Sequence, residues 1–237
     1  NDWVKGIPIE KVKTKKELLA STWHLLSQGK RIFMPVDVSD NAFKLSRLKD
    51  LFLYFTDLKP EQILWFDGNN LEEGVTTEAD KTLFKNEPKK FISQALKSDV
   101  RLIIANQIVD CGWNYLNTGS KDERFDEVHI ITQNHFTTPD KIKSMFRRIR
   151  TNLDFVRIFV GAPFNPEDDL TLTPYNLDEG VITDPYRPLQ KRITNLQKLR
   201  GWNIRETFFE EMKLRGAKVL DERDPEMILE GLDYQAD

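Results

Sequence analysis

Apolar and polar positions alternate in blocks along the first two-thirds of the chain. In KKELLASTWHLLSQ (residues 15–28), Leu18, Leu19, Trp23 and Leu26 recur at helical spacing, and Gly29 is a natural stop. The short apolar run Arg31-Ile32-Phe33-Met34-Pro35-Val36 reads as a buried strand. Ser39 is a good N-cap for a helix through about Thr56, with Ala42, Leu45, Leu48, Leu51 and Leu53 inward. Ile63-Leu64-Trp65-Phe66 is the next strand, closed by the turn cluster Asp67-Gly68-Asn69-Asn70. A loop of low hydrophobicity is expected over 69–85, then a helix over 88–97 with Phe91, Ala95 and Leu96 on its apolar face. Val100-Arg101-Leu102-Ile103-Ile104-Ala105 is the clearest strand of the chain. The polar stretch 116–125 reads as an exposed loop, Val128-His129-Ile130-Ile131 as a strand, and Pro139 opens a helix predicted through Arg150. Phe155 to Val160 closes the series.

Strands separated by helices of ten or more residues need crossover connections. The pattern therefore predicts an α/β fold, a mainly parallel sheet with helices on both faces, over residues 1–161. After Gly161 the character changes. Residues 162–185 hold Pro163, Pro166, Pro174 and Pro185 among acidic and polar residues, the composition of an extended connector. Residues 186–237 read as a small helical appendage, with helices near 187–199 and 203–215. Ile204, Phe208 and Met212 stripe the second of these, and Gly216 caps it.

Composition narrows this picture. The 237 residues are 39% hydrophobic, and 15 Phe and 5 Trp supply enough apolar bulk for one sizeable core. Charged residues are 31% of the chain with a net charge of −3, which argues against a globally basic coat and leaves room for a local basic groove. The single Cys111 cannot form an intrachain disulfide, so a reducing, intracellular and cytoplasmic setting is expected. No apolar run approaches the roughly 18 residues of a membrane span, and no membrane partner is expected. The chain starts at Asn1 rather than Met, which suggests a piece of a longer polypeptide with further motifs upstream.

Neither G-x-x-x-x-G-K-[ST] nor G-x-G-x-x-G occurs. Asp126-Glu127-Val128-His129 spells a DExH string, the acidic motif that holds magnesium in many helicases. In a parallel sheet, however, ligands bind beyond the carboxyl ends of strands. Here the acids precede the apolar residues Val128, Ile130 and Ile131, which favours a structural role over metal binding. The segment ending in Arg147-Arg148-Arg150 is more informative. Ile142, Met145, Phe146 and Ile149 form a buried helical stripe. At roughly 100° per residue, Arg148 and Arg150 flank that stripe and Arg147 points outward. Partly desolvated flanking arginines suit bidentate phosphate contact; a basic helix C-terminus is also what the macrodipole favours. Upstream, the strand 100–105 runs into Asn106-Gln107 and then Gly112-Trp113-Asn114, polar groups placed at a strand end.

The order of these segments resembles the second, C-terminal RecA-like lobe of superfamily 2 helicases, closest to viral and plasmid origin-binding or replication helicases. GKRIFMPVDVSDNAFKLSRL (29–48) is similar to the motif IV region, VRLIIANQIVDCGWNY (100–115) to motif V, and SMFRRIR (144–150) to motif VI in its Q-x-x-x-R-x-R form. The likeness spans roughly residues 15–161. It implies that Arg148 and Arg150 are catalytic fingers and that Gly112 and Asn114 face ATP. It also implies that Asp37, Val38, Ser39, Asn106 and Gln107 grip the backbone of a single or duplex nucleic acid, with DNA favoured. ATP and Mg²⁺ are the implied cofactors, with the P-loop and magnesium acids supplied by an upstream lobe of the same polypeptide. The isolated chain is then not expected to turn over ATP, and the setting would be a viral or plasmid replication complex.

Three positions depart from the motifs: Ser144 for Gln, Asn106 for Thr, and Asn114 for Asp. They keep open a rival, a non-hydrolysing module of the same fold that binds nucleic acid or a replication partner. A second rival is a Rossmann-like nucleotide-sugar enzyme lobe, for which Asp37, Asp67 and His135 are the nearest candidate bases. In the tail, Arg187, Lys191, Arg192, Lys198, Arg200 and Arg205 suit a nucleic-acid face or a solvated helix surface equally well. Trp113 and Trp202 suit base stacking or core packing.

Overall fold

Ile32–Asp37 (β2) is buried at every position, and so is Glu127–Thr132 (β6). A strand buries both its alternating faces only when the sheet is covered on each side, as parallel sheets are. The structure, a computed structural model, describes residues 4–37, 45–66, 78–106, 115–117, 120–132, 139–150, 152–160 and 208–220. Five more strands join those two: Pro8–Val12 (β1), Ile63–Phe66 (β3), Leu102–Ala105 (β4), Phe155–Val160 (β8) and Lys218–Leu220 (β9). The order across the sheet is β3-β4-β2-β6-β8-β1-β9, and every pairing is parallel. Tyr115–Leu116 (β5) and Ile149–Arg150 (β7) form a separate parallel pair. The expected α/β class, helices on both faces of a parallel sheet, is the one observed.

One face carries Lys15–Ser27 (α1) and Leu45–Phe55 (α2). Leu18, Leu26, Leu48 and Phe52 pack there on Ile32, Met34, Leu102 and Ile104. A capping box starts α1: Thr14 Oγ1 accepts from Glu17 N at 3.1 Å, and Glu17 Oε2 accepts from Thr14 N at 3.2 Å. Gly29, at φ +78°, turns the chain out of α1 into β2.

The other face carries Glu78–Asn86 (α3), Pro88–Lys97 (α4), Pro139–Phe146 (α5) and a helix over residues 208–214 (α6). Phe84, Phe91, Ile142, Met145 and Phe208 close the larger apolar cluster there. The acidic first turn of α3, Glu78 and Asp80, suits a helix N-terminus. Phe84 stacks on Phe66 with centroids 4.4 Å apart. That packing makes a helix of a stretch whose low hydrophobicity predicted a loop. Likewise, Asn117 and Phe125 are fully buried in the stretch expected to be an exposed loop.

The largest departure from the sequence expectation is at the chain ends. β1 has no apolar signature, because Glu10 and Lys11 interrupt it; yet both are buried, and β1 lies between β8 and β9. Residues 208–220, within the expected helical appendage, add α6 and the edge strand β9 to this same sheet. Phe208 and Met212 are buried as their helical spacing predicts, and Gly216 sits at φ +84°. The expected connector 162–185 and the helix near 187–199 lie outside the described residues.

A buried polar row crosses the sheet under α1. Register places His129 beside Arg157 and Arg157 beside Glu10. His129 Nε2 lies 2.9 Å from Glu127 Oε2, Arg157 Nε donates to the same oxygen at 2.9 Å, and Arg157 also pairs with Glu10. On the far side, Thr22 Oγ1 is 2.6 Å from His129 Nδ1. The Thr22 hydroxyl also lies 2.7 Å from Leu18 O, and its single proton goes either to that carbonyl or to Nδ1 according to the imidazole tautomer. Complete burial pushes the His129 pKa below its ordinary value against the pull of Glu127. Burial also raises Glu127, but His129 and Arg157 outweigh it and hold that carboxyl lower than usual. Asp126, the other acid of the DExH string, accepts from the Arg31 backbone N–H at 2.7 Å. The DExH acids thus sit at the amino end of β6, engaged by neighbouring groups.

Two outcomes follow. If residues 208–220 belong to the core, Phe209→Ala costs about 3–5 kcal/mol, as a central-strand phenylalanine would; urea unfolding that shows a loss under about 1 kcal/mol refutes this. Because the folded pKa of His129 is depressed, its contribution is complete above the unfolded value of 6.5 and is lost as pH falls below it. Glu127 adds a further loss below its ordinary value of 4.5. Urea midpoints measured from pH 8 to pH 5 should fall on the acid side in the wild type. They should fall less in His129→Gln, whose absolute stability is lower throughout.

Candidate functional site

Chain connections diverge at the carboxyl end of β2. From β2 the chain passes to α2 on one face, whereas its neighbours β4 and β6 lead to elements on the other. Such a switch point opens a crevice at strand carboxyl ends. Asp37 is the last residue of β2, buried, and in register with Thr132 of β6. Asn106 directly follows Ala105, the register partner of Pro35, and its N–H donates to Phe66 O at 3.1 Å. Asp37 and Asn106 are therefore brought to one edge, as their strand-end positions predicted. Lys141 of α5, which the sequence pattern did not single out, reaches this edge and pairs with Asp37 Oδ1 at 3.0 Å. Val38, Ser39, Gln107, Asp67 and His135 lie outside the described residues.

The arginines are elsewhere. Helix α5 was expected to run through Arg150 but ends at Phe146. Arg147 and Arg148 form a turn, with Arg148 N on Met145 O at 3.3 Å, and Ile149–Arg150 pair as β7 with Tyr115–Leu116. The reason lies in the partner strand. Tyr115 N donates to Arg148 O at 2.7 Å and Asn117 N to Arg150 O at 2.9 Å, the ladder bonds of an extended pair. Ile149 is still buried, now as a strand residue. Arg148 is half-buried, but Arg150 is exposed rather than a desolvated flank, and Arg147 is exposed as expected. Arg148 Nη2 donates to Ser144 Oγ at 2.9 Å, one turn back along α5.

Asn117 secures this corner. Its Oδ1 accepts from Phe125 N at 2.7 Å, while its Nδ2 donates to Phe125 O at 2.7 Å and Asn152 O at 3.0 Å. Asn152, at φ +51°, returns a bond to Asn117 O at 3.1 Å. Phe125 and Asn152 precede β6 and β8, so Arg148 and Arg150 lie towards the amino edge of the sheet, opposite Asp37. Gly112 and Asn114 lie outside the described residues, though Asn114 immediately precedes Tyr115 in the chain. Sequence reading missed Asn117 because a lone Asn in a polar stretch looks solvated.

Helix α5 also meets the C-terminal helix. Glu211 takes Lys143 Nζ at 2.9 and 3.2 Å and the Arg215 guanidinium at 2.9 and 3.0 Å. Lys143 first, then Arg215, hold the Glu211 carboxyl below its ordinary range. Arg187, Lys191, Arg192, Lys198, Arg200, Arg205, Trp113 and Trp202 lie outside the described residues. Among the described residues no group of three or more His, Cys, Asp or Glu side chains could hold a metal ion, and no helix is long and apolar enough to cross a membrane.

The described residues define an all-parallel α/β sheet domain with Asp37, Asn106 and Lys141 at the carboxyl end of its strands and an arginine-bearing ladder towards the other end. Neither a protein-family model nor a curated protein matches the chain.

If Asn117 fixes the arginine corner, Asn117→Ala leaves the carbonyls of Phe125 and Asn152 without a side-chain donor, at about 1–3 kcal/mol each where buried. Amide exchange should then speed up at Tyr115, Asn117 and Phe125 while Leu102 is unchanged. Equal acceleration throughout would mean global destabilisation instead.

Proposed function

We propose that the chain is the C-terminal lobe of an ATP-dependent nucleic-acid helicase or translocase. The observation that carries this reading is the β5–β7 ladder. It joins the segment directly after the motif V-like residues to the backbone of the motif VI-like arginines. The helicase reading needs those two motifs together on an ATP-facing side and the strand-gripping groups on another. Asp37 and Asn106 stand at the carboxyl edge, where parallel sheets bind ligands, whereas the arginines lie towards the amino edge, so in this reading their phosphate contact is made outside that crevice, across the interface with the upstream lobe.

In this reading an upstream lobe would hold ATP and Mg²⁺, the ion supplying charge neutralisation at the phosphates when bound. Arg148 and Arg150 reach across the cleft to the γ-phosphate. A guanidinium suits the task because it stays charged and offers paired donors to phosphate oxygens. Ser144 holds Arg148 through a neutral oxygen, which orders the guanidinium without adding a negative charge of its own. Asp37 and Asn106, with Val38, Ser39 and Gln107 next to them in the chain, would grip the strand, and closing and opening the cleft would step it along. The substitutions Ser144, Asn106 and Asn114 favour a second reading, a lobe that binds nucleic acid without hydrolysis.

An ATPase assay on the parent polypeptide with single-stranded DNA separates the two. Stimulated turnover that falls about 10³-fold or more in Arg148→Ala, the scale of arginine fingers, with Arg147→Ala within about twofold, supports the helicase. Absence of turnover in the intact protein sinks it and leaves the binding module.

A further inference from the structure

The nucleic-acid reading leaves a difficulty at the carboxyl edge. Its best-placed described residue, Asp37, is a carboxylate whose side chain is only 7% exposed, and an anion repels phosphate. We infer that Lys141 is the group that contacts a backbone phosphate of the bound strand, and that Asp37 acts through it as a positioning residue. This inference rests on the nucleic-acid half of the proposed function and does not need ATP hydrolysis.

Four observations carry it. Asp37 Oδ1 and Lys141 Nζ are 3.0 Å apart, close enough for a buried carboxylate to fix the ammonium in place. The pair is oriented, because the lysine side chain is 28% exposed while the aspartate faces the protein, so the cation is the end that solvent or a ligand meets. Its location is the switch-point edge, since Asp37 is in register with Thr132 and Lys141 lies in the first turn of α5 beyond β6. Finally, Lys143, two residues further along α5, is turned instead to Glu211 and is only 15% exposed, so the two lysines have different tasks. A lysine is a compact point charge, which suits contact with a repeating backbone rather than with base edges. A buried aspartate under it removes the entropy of a long flexible stem that would otherwise be lost on binding.

A purely structural ion pair would affect folding and leave the electrostatics of binding unchanged, so the test is the salt dependence of binding. The probe is fluorescein-labelled oligo(dT), titrated with the intact chain by anisotropy over a series of salt concentrations. Each phosphate neutralised on a single strand contributes about 0.7 to the slope of log K against log salt. Lys141→Gln should reduce that slope by about 0.7, and Lys141→Arg should restore it. Asp37→Asn should weaken binding when Lys141 is present and have no effect in the Lys141→Gln background. An unchanged slope in folded Lys141→Gln overturns the inference, as does an Asp37→Asn effect of equal size in both backgrounds. If Lys141→Gln does not fold, Lys141→Gln in the Asp37→Asn background decides, since no buried carboxylate is then left unpaired: a slope about 0.7 below that of Asp37→Asn alone supports the contact, and an unchanged slope contradicts it. A wild-type chain that fails to bind oligo(dT) at any salt concentration defeats the nucleic-acid reading itself, a result distinct from either of these.

Discussion

A guanidinium in the core sets the order of this sheet. Arg157 projects from β8 between two strands that each bring it a carboxylate, Glu10 from β1 and Glu127 from β6. A buried ion of this kind has a large desolvation cost, offset only when its partners are held in good geometry, and removing one partner is typically worth about 3–5 kcal/mol. Register therefore matters more here than in an all-apolar sheet. A one-residue slip of β1 would turn Glu10 to the opposite face and leave Arg157 half-paired. On the other side of the sheet β3 and β4 carry no charged residue, and β2 carries one only at its end, Asp37.

What depends on this row reaches well beyond it. With β1 fixed, its outer edge is where β9 pairs, and Lys11 of β1 lies over the ring of Phe209 at 4.9 Å. That seats α6, whose Glu211 grips Lys143 of α5. Helix α5 in turn carries Lys141 at one edge of the sheet and delivers the chain to Arg148 at the other. Its eight residues span about 12 Å at 1.5 Å per residue. A short rigid helix therefore links the strand-end crevice to the arginine corner, and its orientation is set from below by the sheet and from the side by the C-terminal segment.

β2, β3 and β4 were legible because each is an apolar run on both faces, a signal that needs no knowledge of neighbours. β1 was not, since Pro-Ile-Glu-Lys-Val has the pattern of an exposed segment until Arg157 and Phe209 are placed beside it. β9 was hidden for a similar reason, as Lys218-Val219-Leu220 is short and sits at an edge. At the candidate site, strand ends predicted Asp37 and Asn106 correctly as edge residues, whereas Lys141 and Asn117 were invisible. Their roles exist only through Asp37 in one case and Phe125 and Asn152 in the other, partners remote or unmarked in sequence. The helical period of Ile142, Met145, Phe146 and Ile149 identified buried residues correctly but the wrong element for the last of them. All four are buried, yet Ile149 is buried by strand pairing.

That distinction bears on what the arginines can do. On a continuous helix, Arg148 and Arg150 would project about 200° apart, at roughly 100° per residue, and could hardly converge on one phosphate group. A helix that ends at Phe146 frees them from that geometry. Arg148 is folded back on Ser144, and Arg150 stands on a two-residue strand whose neighbour carries the segment following Asn114. The short Ser144 side chain meets the arginine one turn on, so it fits an arginine held close to the helix end. The departure from the motif at 144 and the early end of α5 are thus parts of one arrangement. In the helicase reading proposed above, neither decides whether ATP is hydrolysed, and the departure left to weigh is Asn114, an amide where the resembled motif has a carboxylate.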